Sequence, residues 1–361
     1  MSRRLSVALL TSARTWRGSG VSLATIARGL REQGHDPYLL AGDAQVVEAF
    51  AALGLAAVPV LTGNTGLREA RVLAGVLAGI GADAVLVDRP RDLRLAALAS
   101  MTHRVAIVNR YNLSRARPPR DLLTRLAYRR VAMTIFVSET LAARALALAR
   151  YLHRRPHRVI RGAVDPERFR PDRGAAVAFR TAQDLGGTPF VVAVGSLTLD
   201  KRYDFLLDVW ARLGPPAPPL LICGAGAHRE RLRIRARDLG VDARFLGHLA
   251  PDELRGAYCA ARCLVHAGAV ETFGLSVLEA MACGCPVLGV DGGAVPEVMG
   301  ETGVLAPVDD AHAFLALLRS LLDDHPRRAA LGEAARQRVL DHFSLPAMCQ
   351  AYASAIESVV R

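Results

Sequence analysis

Short, almost wholly apolar runs alternate along this chain with segments whose apolar residues recur every three to four positions. In the first half the runs are Leu5–Leu10, Ala84–Val87, Val105–Val108 and Thr134–Val137. In the second half they are Phe190–Val194, Leu220–Cys223, Ala243–Leu246, Cys263–Val265 and Pro286–Gly289. Continuous apolar runs of this length predict strands covered on both faces, as in parallel sheets. The intervening segments predict helices. Val21–Gln33 places Leu23, Ile26, Ala27 and Leu30 on one face and is closed by Gly34, after which His35–Leu40 begins a second strand. Further helices are expected over Tyr203–Leu213, Leu275–Cys283, Ala311–Leu322 and Leu345–Val359. Val72 to Val87 reads as helix, turn and strand, because Asp83 and three glycines interrupt it, and not as a membrane span. Leu5–Leu10 reads as a buried first strand and not as a cleaved leader. The alternation predicts an α/β chain, and 361 residues suit two domains of about 170 residues each. Turn formers cluster between Arg170 and Gly187, where the linker is expected.

One predicted helix stands apart. Leu275, Val277, Leu278, Ala280, Met281 and Ala282 make it apolar on most faces, and it carries a single carboxylate, Glu279. Thr272 is its expected N-cap, Gly274 allows close backbone approach, and Gly284 ends it. A buried carboxylate needs a donor, and the residues leave two readings open. In one, the helix N-terminus is an anion site. The N–H groups near Leu275 and Ser276 hold a diphosphate, and Glu279, about 7 Å further along the axis, accepts bonds from ribose hydroxyls. Glu271, ahead of the helix, then faces whatever hangs from the far phosphate. In the other reading the helix is structural and its glutamate pairs with an arginine.

Other candidates sit where chains in open α/β sheets bind ligands, beyond the carboxyl ends of strands. They are Arg89, Asn109, Arg110, Ser138 and Glu139. Gly18 and Gly20 lie in the long loop after the first strand. The third glycine of the dinucleotide fingerprint is missing there, which argues against a nicotinamide cofactor. Lys201 is the only lysine beside 45 arginines. It falls between a strand and a helix, where a compact charge suits a phosphate. No Asp-x-Asp triplet occurs in the chain.

Charge is unevenly spread. Residues 1–180 hold 29 arginines against 13 carboxylates, whereas residues 181–361 hold 17 basic against 21 acidic residues, for the net +12. Between Arg104 and Arg130 eight arginines accompany one acidic residue, Asp121. Leu122, Leu123 and Leu126 interleave with Arg125, Arg129 and Arg130, a pattern that suits an anionic membrane surface, a phosphorylated acceptor or an ordinary solvated face. Without a nucleic-acid motif, stacking platform or basic tail, nucleic acid is not an expected partner. The six cysteines lack paired metal-site spacing and read as buried free thiols, in keeping with a cytoplasmic setting.

The frame from Glu271 to Pro286, with glutamates separated by seven residues, resembles the E-x7-E signature of the family-4 glycosyltransferases. Asp291–Val298, Thr302–Leu305 and the stretches Arg161–Pro166 and Phe169-x-Pro171 continue the likeness. The resemblance implies a GT-B fold: two Rossmann-like domains with parallel sheets facing a central cleft. Residues 1–173 would form the acceptor side, with the helix 345–361 crossing back to it, and residues 174–344 the nucleotide-sugar side. It implies retaining transfer from a nucleotide-diphosphate donor to a saccharide or lipid-linked acceptor, as in cell-envelope polysaccharide or lipopolysaccharide synthesis. No metal or other cofactor is implied. Glu271 and Lys201 would be catalytic. Glu279, Thr272, Phe273, Gly274, Leu275, Ser276, Ser196, Arg202, His248, Gly18 and Gly20 would line the donor, and Arg89, Asn109 and Arg110 the acceptor side. The chain departs from the pattern at Ser196, where the family has an arginine, and near Asn109–Arg110, where many members have a histidine. A nucleotide-sugar 2-epimerase of the same fold and a non-catalytic nucleotide-sugar-binding member are the alternatives. The basic first half points to an anionic acceptor and to peripheral contact at the inner face of the cytoplasmic membrane.

Overall fold

The computed structural model describes residues 3–16, 18–60, 66–112 and 121–360. The chain divides into two compact units, Met1–Gly162 with Leu345–Arg361, and Ala163–Ser344.

In the first unit the order is β1 (Ser6–Thr11), α1 (Gly18–Glu32), β2 (Asp36–Ala41), α2 (Ala44–Ala52), β3 (Ala57–Pro59), α3 (Leu67–Gly79), β4 (Ala84–Val87), α4 (Pro90–Ala99), β5 (Ala106–Tyr111), α5 (Leu122–Tyr128), β6 (Val131–Phe136), α6 (Glu139–Leu148) and β7 (His157–Val159). The second unit runs α7 (Arg173–Ala182), β8 (Val191–Val194), α8 (Tyr203–Leu213), β9 (Leu220–Cys223), α9 (Arg229–Asp238), β10 (Ala243–Gly247), α10 (Pro251–Ala260), β11 (Leu264–His266), α11 (Leu275–Ala282), β12 (Val287–Val290), α12 (Val295–Met299), β13 (Val304–Ala306), α13 (Ala311–Asp323) and α14 (His325–His342). The last helix, α15 (Leu345–Glu357), returns to the first unit and packs on α1.

Both units are α/β with wholly parallel sheets and are Rossmann-like. The first sheet is ordered β3-β2-β1-β4-β5-β6-β7 and the second β10-β9-β8-β11-β12-β13. Each order reverses direction at one place, between β1 and β4 and between β8 and β11. At such a switch point the loops leaving neighbouring strands diverge and open a crevice beyond the strand ends. The central strands are apolar throughout because helices cover both faces; Val7–Leu10 and Val191–Ala193 are essentially inaccessible.

Four expectations are corrected. Helix α1 begins at Gly18, so Gly18 and Gly20 lie in its first turn and not in a loop, with the Trp16 indole packed over Gly20. Strand β5 continues through Tyr111, which takes Asn109 and Arg110 into the sheet. The expected linker contains α7, which forms because Asp172 caps it by accepting from Ala175 N at 2.8 Å and Phe179 is buried against the core. Gly274, not Thr272, caps α11. All six cysteines are free, and five are buried. Among the described residues no helix is long and apolar enough to cross a membrane. Arg17, Arg115, Arg117 and Arg120 of the basic first half lie outside the described residues.

Candidate functional site

The switch point of the second sheet gathers the charged groups singled out from the sequence. Beyond β8, Gly195 leads through Ser196 and Thr198 into the 3-10 turn Leu199–Lys201. Ser196 Oγ and Thr198 Oγ1 are 3.2 Å apart, and the Thr198 carbonyl accepts from Lys201 N at 3.2 Å, which tightens the turn. The Lys201 stem then runs back beside Gly195. Beyond β11, residues Ala267–Val270 carry Glu271 to the same place, and Lys201 Nζ donates to Glu271 Oε2. His266, the last residue of β11, points its Nε2 at that oxygen from 3.5 Å.

The backbone under Glu271 is held from the other side. Gly293 sits at φ +60, where a Cβ would come within 2.6 Å of Glu271 N and O. The adjoining Ala294 N donates to Glu271 O at 2.9 Å. Only glycine permits both that backbone angle and that approach. The Glu271 side chain also accepts from Thr272 N at 3.2 Å.

Gly274, at φ 94, makes the sharp left-handed turn into α11 with no side chain capping the helix. The first-turn N–H groups, Leu275 and Ser276 among them, have no intrahelical acceptor and mark the positive end of the helix dipole. Phe273 faces away, buried against Phe343 with the rings 6.0 Å apart. The turn at Gly274 leaves the Phe273 ring in the core.

Further along α11, Glu279 Oε2 accepts from the Tyr258 hydroxyl at 3.1 Å. This phenol, on α10, is the donor that the buried carboxylate required, and among the described residues no arginine forms an ion pair with Glu279. Glu279 keeps some accessible surface yet is enclosed on most sides. Burial pushes its carboxyl up to about 7, against the Tyr258 bond and the Arg168 charge. Glu271 moves the opposite way. Burial would raise it, but Lys201 and His266 hold it below the usual carboxylate range. Burial pushes His266 down to about 4, with Glu271 opposing, so its ring is neutral at pH 7. The site thus holds a neutralised Lys201–Glu271 pair, a neutral imidazole, open helix N–H groups and a carboxyl poised near neutrality.

Arg202 is engaged elsewhere. Its guanidinium binds Asp309 Oδ1, lies 3.8 Å from Asp204 and packs over the Phe205 ring. Two nearby carboxylates thus compete for Arg202. His248 is exposed in the turn after β10, two strands from β8 in the sheet.

The first-unit candidates are not assembled with one another into an open site. Asn109 Nδ2 donates to the Tyr128 hydroxyl at 2.8 Å, and Arg110 Nε to the Tyr352 hydroxyl at 3.2 Å, and both residues are buried. With Arg89, the residue preceding α4, they line a cavity of about 10 Å³, the room of a single water and not of a sugar. Asn109 and Arg110 thus spend polar groups on two tyrosine hydroxyls. Ser138 caps α6 by accepting from Leu141 N, and Glu139 lies 3.9 Å from Arg161. Sequence reasoning missed Tyr258 and His266 because neither belongs to a motif. It also missed the buried carboxyls Asp88 and Asp92 at the first sheet's switch point, where Asp92 Oδ2 accepts from Ser12 N. The only signal for these two was an acidic residue at a strand end and another one helical turn later.

Comparison with known proteins adds three kinds of likeness. The family model described as glycosyl transferases group 1 matches residues 179–338, and that described as Glycosyltransferase Family 4 matches residues 16–168. The sulfoquinovosyl transferase SQD2 of Arabidopsis thaliana is 30% identical over 246 residues, 65% of this chain and 46% of that protein. A GDP-mannose-dependent alpha-(1-6)-phosphatidylinositol monomannoside mannosyltransferase of Mycolicibacterium smegmatis is 33% identical over 193 residues, 50% of each chain. The chain spans about half the length of the curated relatives it matches. Among solved structures, Anabaena Alr3699/HepE in complex with UDP and glucose superposes with a TM-score of 0.87 at 18% identity, covering 98% of this chain and 100% of that one. At that identity the likeness is one of fold, and the fold is GT-B.

Proposed function

The chain belongs to the family-4 glycosyltransferases, and from that premise we propose that it is a retaining enzyme that moves a glycosyl group from a nucleoside-diphosphate sugar to a saccharide or lipid-linked acceptor. The observation that carries this reading is the meeting of Lys201, Glu271 and the uncapped start of α11 at the switch point between β8 and β11. A diphosphate fits there because a cation and a row of aimed N–H groups favour developing negative charge without reorganising.

In the proposed reaction the bond from the anomeric carbon to the diphosphate oxygen breaks, and the acceptor oxygen bonds on the same face. The departing phosphate takes the acceptor proton. Lys201 and the α11 N–H groups stabilise the leaving diphosphate. Glu271, ionised, accepts hydrogen bonds from sugar hydroxyls near the anomeric carbon, and Glu279 accepts from the ribose. Donor binding is proposed to need no metal, a reading supported by the absence of an Asp-x-Asp triplet.

The acceptor is proposed to be anionic or lipid-linked and held by the first unit. Support comes from the arginine excess of residues 1–180 and from the lipid acceptor in the mycolicibacterial relative's name. On the same two facts we propose a place in cell-envelope glycan synthesis at the inner membrane face.

The test is a thermal-shift screen with UDP, GDP, ADP, CMP and dTDP, with and without magnesium. A ligand that binds the native state raises the melting temperature. One diphosphate is expected to stabilise the protein equally with and without magnesium. Lys201→Ala should weaken that binding about 10- to 100-fold, the value of a charge-assisted contact. No shift with any nucleotide would overturn the donor reading. Donor binding without transfer to any acceptor extract would make the chain a binder and not an enzyme.

A further inference from the structure

Glu271 has a second donor within reach besides Lys201. Lys201 Nζ donates to Glu271 Oε2, and His266 Nε2 lies 3.5 Å from that same oxygen. His266 is 4% exposed, and its Nε2 has no hydrogen-bond partner. Buried polar side-chain atoms are nearly always paired, so a ring nitrogen left unpaired while aimed at a carboxylate calls for a reason. The ring is held in that aim. His266 ends β11 and pairs in the ladder with Gly289 of β12. Gly268 leaves it room, since a Cβ there would come within 3.1 Å of His266 Nε2 and 3.2 Å of the Asp200 carbonyl. The imidazole is thus packed beside the turn that carries Lys201.

On the premise that a diphosphate donor binds here, we propose that His266 is a positioning residue that takes Glu271 Oε2 from Lys201 when the diphosphate claims the lysine. A lysine ammonium is a compact charge on a flexible stem, and a diphosphate offers it more negative charge than one carboxylate does. Its departure leaves Glu271 a largely buried anion with one oxygen unpaired, which weakens binding unless another donor stands ready. With its proton on Nε2, the imidazole is that donor, and a small turn of the released carboxylate completes the bond. The other oxygen, Glu271 Oε1, keeps its bond from Thr272 N at 3.2 Å. Both oxygens are then fixed by the protein, with lone pairs left for sugar hydroxyls. Burial, with Lys201 adding to it and Glu271 opposing, keeps the ring neutral. It therefore brings no charge that would compete with Lys201 for the diphosphate. Tyr203 of α8, which also feels the charges of Glu271 and Asp200, already donates its hydroxyl to the Gly195 carbonyl at 3.1 Å.

Calorimetric titrations with UDP and with GDP read this handover through a double-mutant cycle. His266→Ala is expected to weaken binding of the nucleotide that wild type binds about 10-fold. In a Glu271→Gln background the same change is expected to cost less than about 2-fold, because the amide leaves no anion to be paired. His266→Gln, which keeps an N–H group near the Nε2 position, is expected to recover most of the affinity. Melting temperatures of each variant confirm that it is folded. Equal losses in both backgrounds would make the ring a packing residue and overturn the handover alone. A wild type that binds neither nucleotide would overturn the donor reading and the handover with it.

Nitrogen-15 spectra of the histidine rings read the contact directly, with the His266 signal identified by its loss in His266→Gln. In wild type a hydrogen-bonded Nε2 proton is expected to move downfield when UDP or GDP binds. In Lys201→Ala it is expected in that position without nucleotide, because the lysine has already gone. A ring that carries its proton on Nδ1 in both states, or an Nε2 proton indifferent to nucleotide and to Lys201, would overturn the proposal.

Discussion

Glu279 shows what one residue carries. A carboxyl with an ordinary value of 4.5 that is raised to about 7 holds a proton in the native state that it lacks when unfolded. Its contribution to stability is therefore complete below its unfolded value and is lost as pH rises through about 7. Binding runs the other way, since ribose hydroxyls prefer the ionised acceptor. Affinity for the stabilising nucleoside diphosphate should rise through neutrality and level off above it. Glu279→Gln should flatten that profile and weaken binding at high pH about 10-fold. Calorimetric titration from about pH 6 to about pH 8 reads both. A wild-type affinity indifferent to pH would remove Glu279 from the ribose. Lys201 and the Glu271/Glu279 pair stood out in the sequence by rarity and spacing. Their state did not. That Lys201 already neutralises Glu271, and that His266 adds a neutral ring beside them, depends on two loops from different strands reaching one point.

At the scale of elements, the prediction of strands and helices held wherever apolar periodicity was strong. Helix α8 spans Tyr203–Leu213 as expected. It failed where a polar residue was assumed to end a strand. Asn109 and Arg110 looked like strand-end ligands, yet Tyr128 and Tyr352 supply partners that let β5 continue through them. Tyr352 comes from α15, more than two hundred residues away in the chain, and no local pattern announces that bond. Tyr352→Phe should destabilise the protein by about 1–3 kcal/mol, the cost of leaving a buried donor unpaired. Chemical denaturation measures this; an unchanged midpoint would mean that Arg110 finds another acceptor. The cap of α11 teaches the same lesson in reverse. Thr272 has the composition of a cap, but the chain must turn left-handed to bring Glu271 back toward Lys201, and only Gly274 does so without strain.

For the molecule as a whole, charge and exposed apolar surface coincide. In α5, Thr124, Ala127 and Tyr128 are buried. Leu122, Leu123 and Leu126 remain 67%, 63% and 42% exposed beside Arg125, Arg129 and Arg130. Three exposed leucines on a seven-residue helix ringed by arginines suit an anionic lipid surface. The protein should bind vesicles containing phosphatidylglycerol, fail to bind pure phosphatidylcholine, and lose binding as salt shortens the screening length. A Leu122→Ser, Leu123→Ser double variant should sediment with vesicles several-fold less. Binding that ignores salt or these leucines would remove α5 as the contact.

The α/β class, the parallel strands, the boundaries of the strongest helices and the glutamate frame were legible in the chain because each is written in residues close together. Apolar period and the spacing along one helix are local properties. The switch-point site, the Tyr258 donor beneath Glu279 and the diversion of Arg202 to Asp309 were settled by tertiary structure alone. So were the inward turn of Phe273 and the burial of Asn109 and Arg110. Each depends on which distant side chain arrives to satisfy a polar group removed from water, and a buried donor or acceptor is stable only where such a partner lies within hydrogen-bond reach.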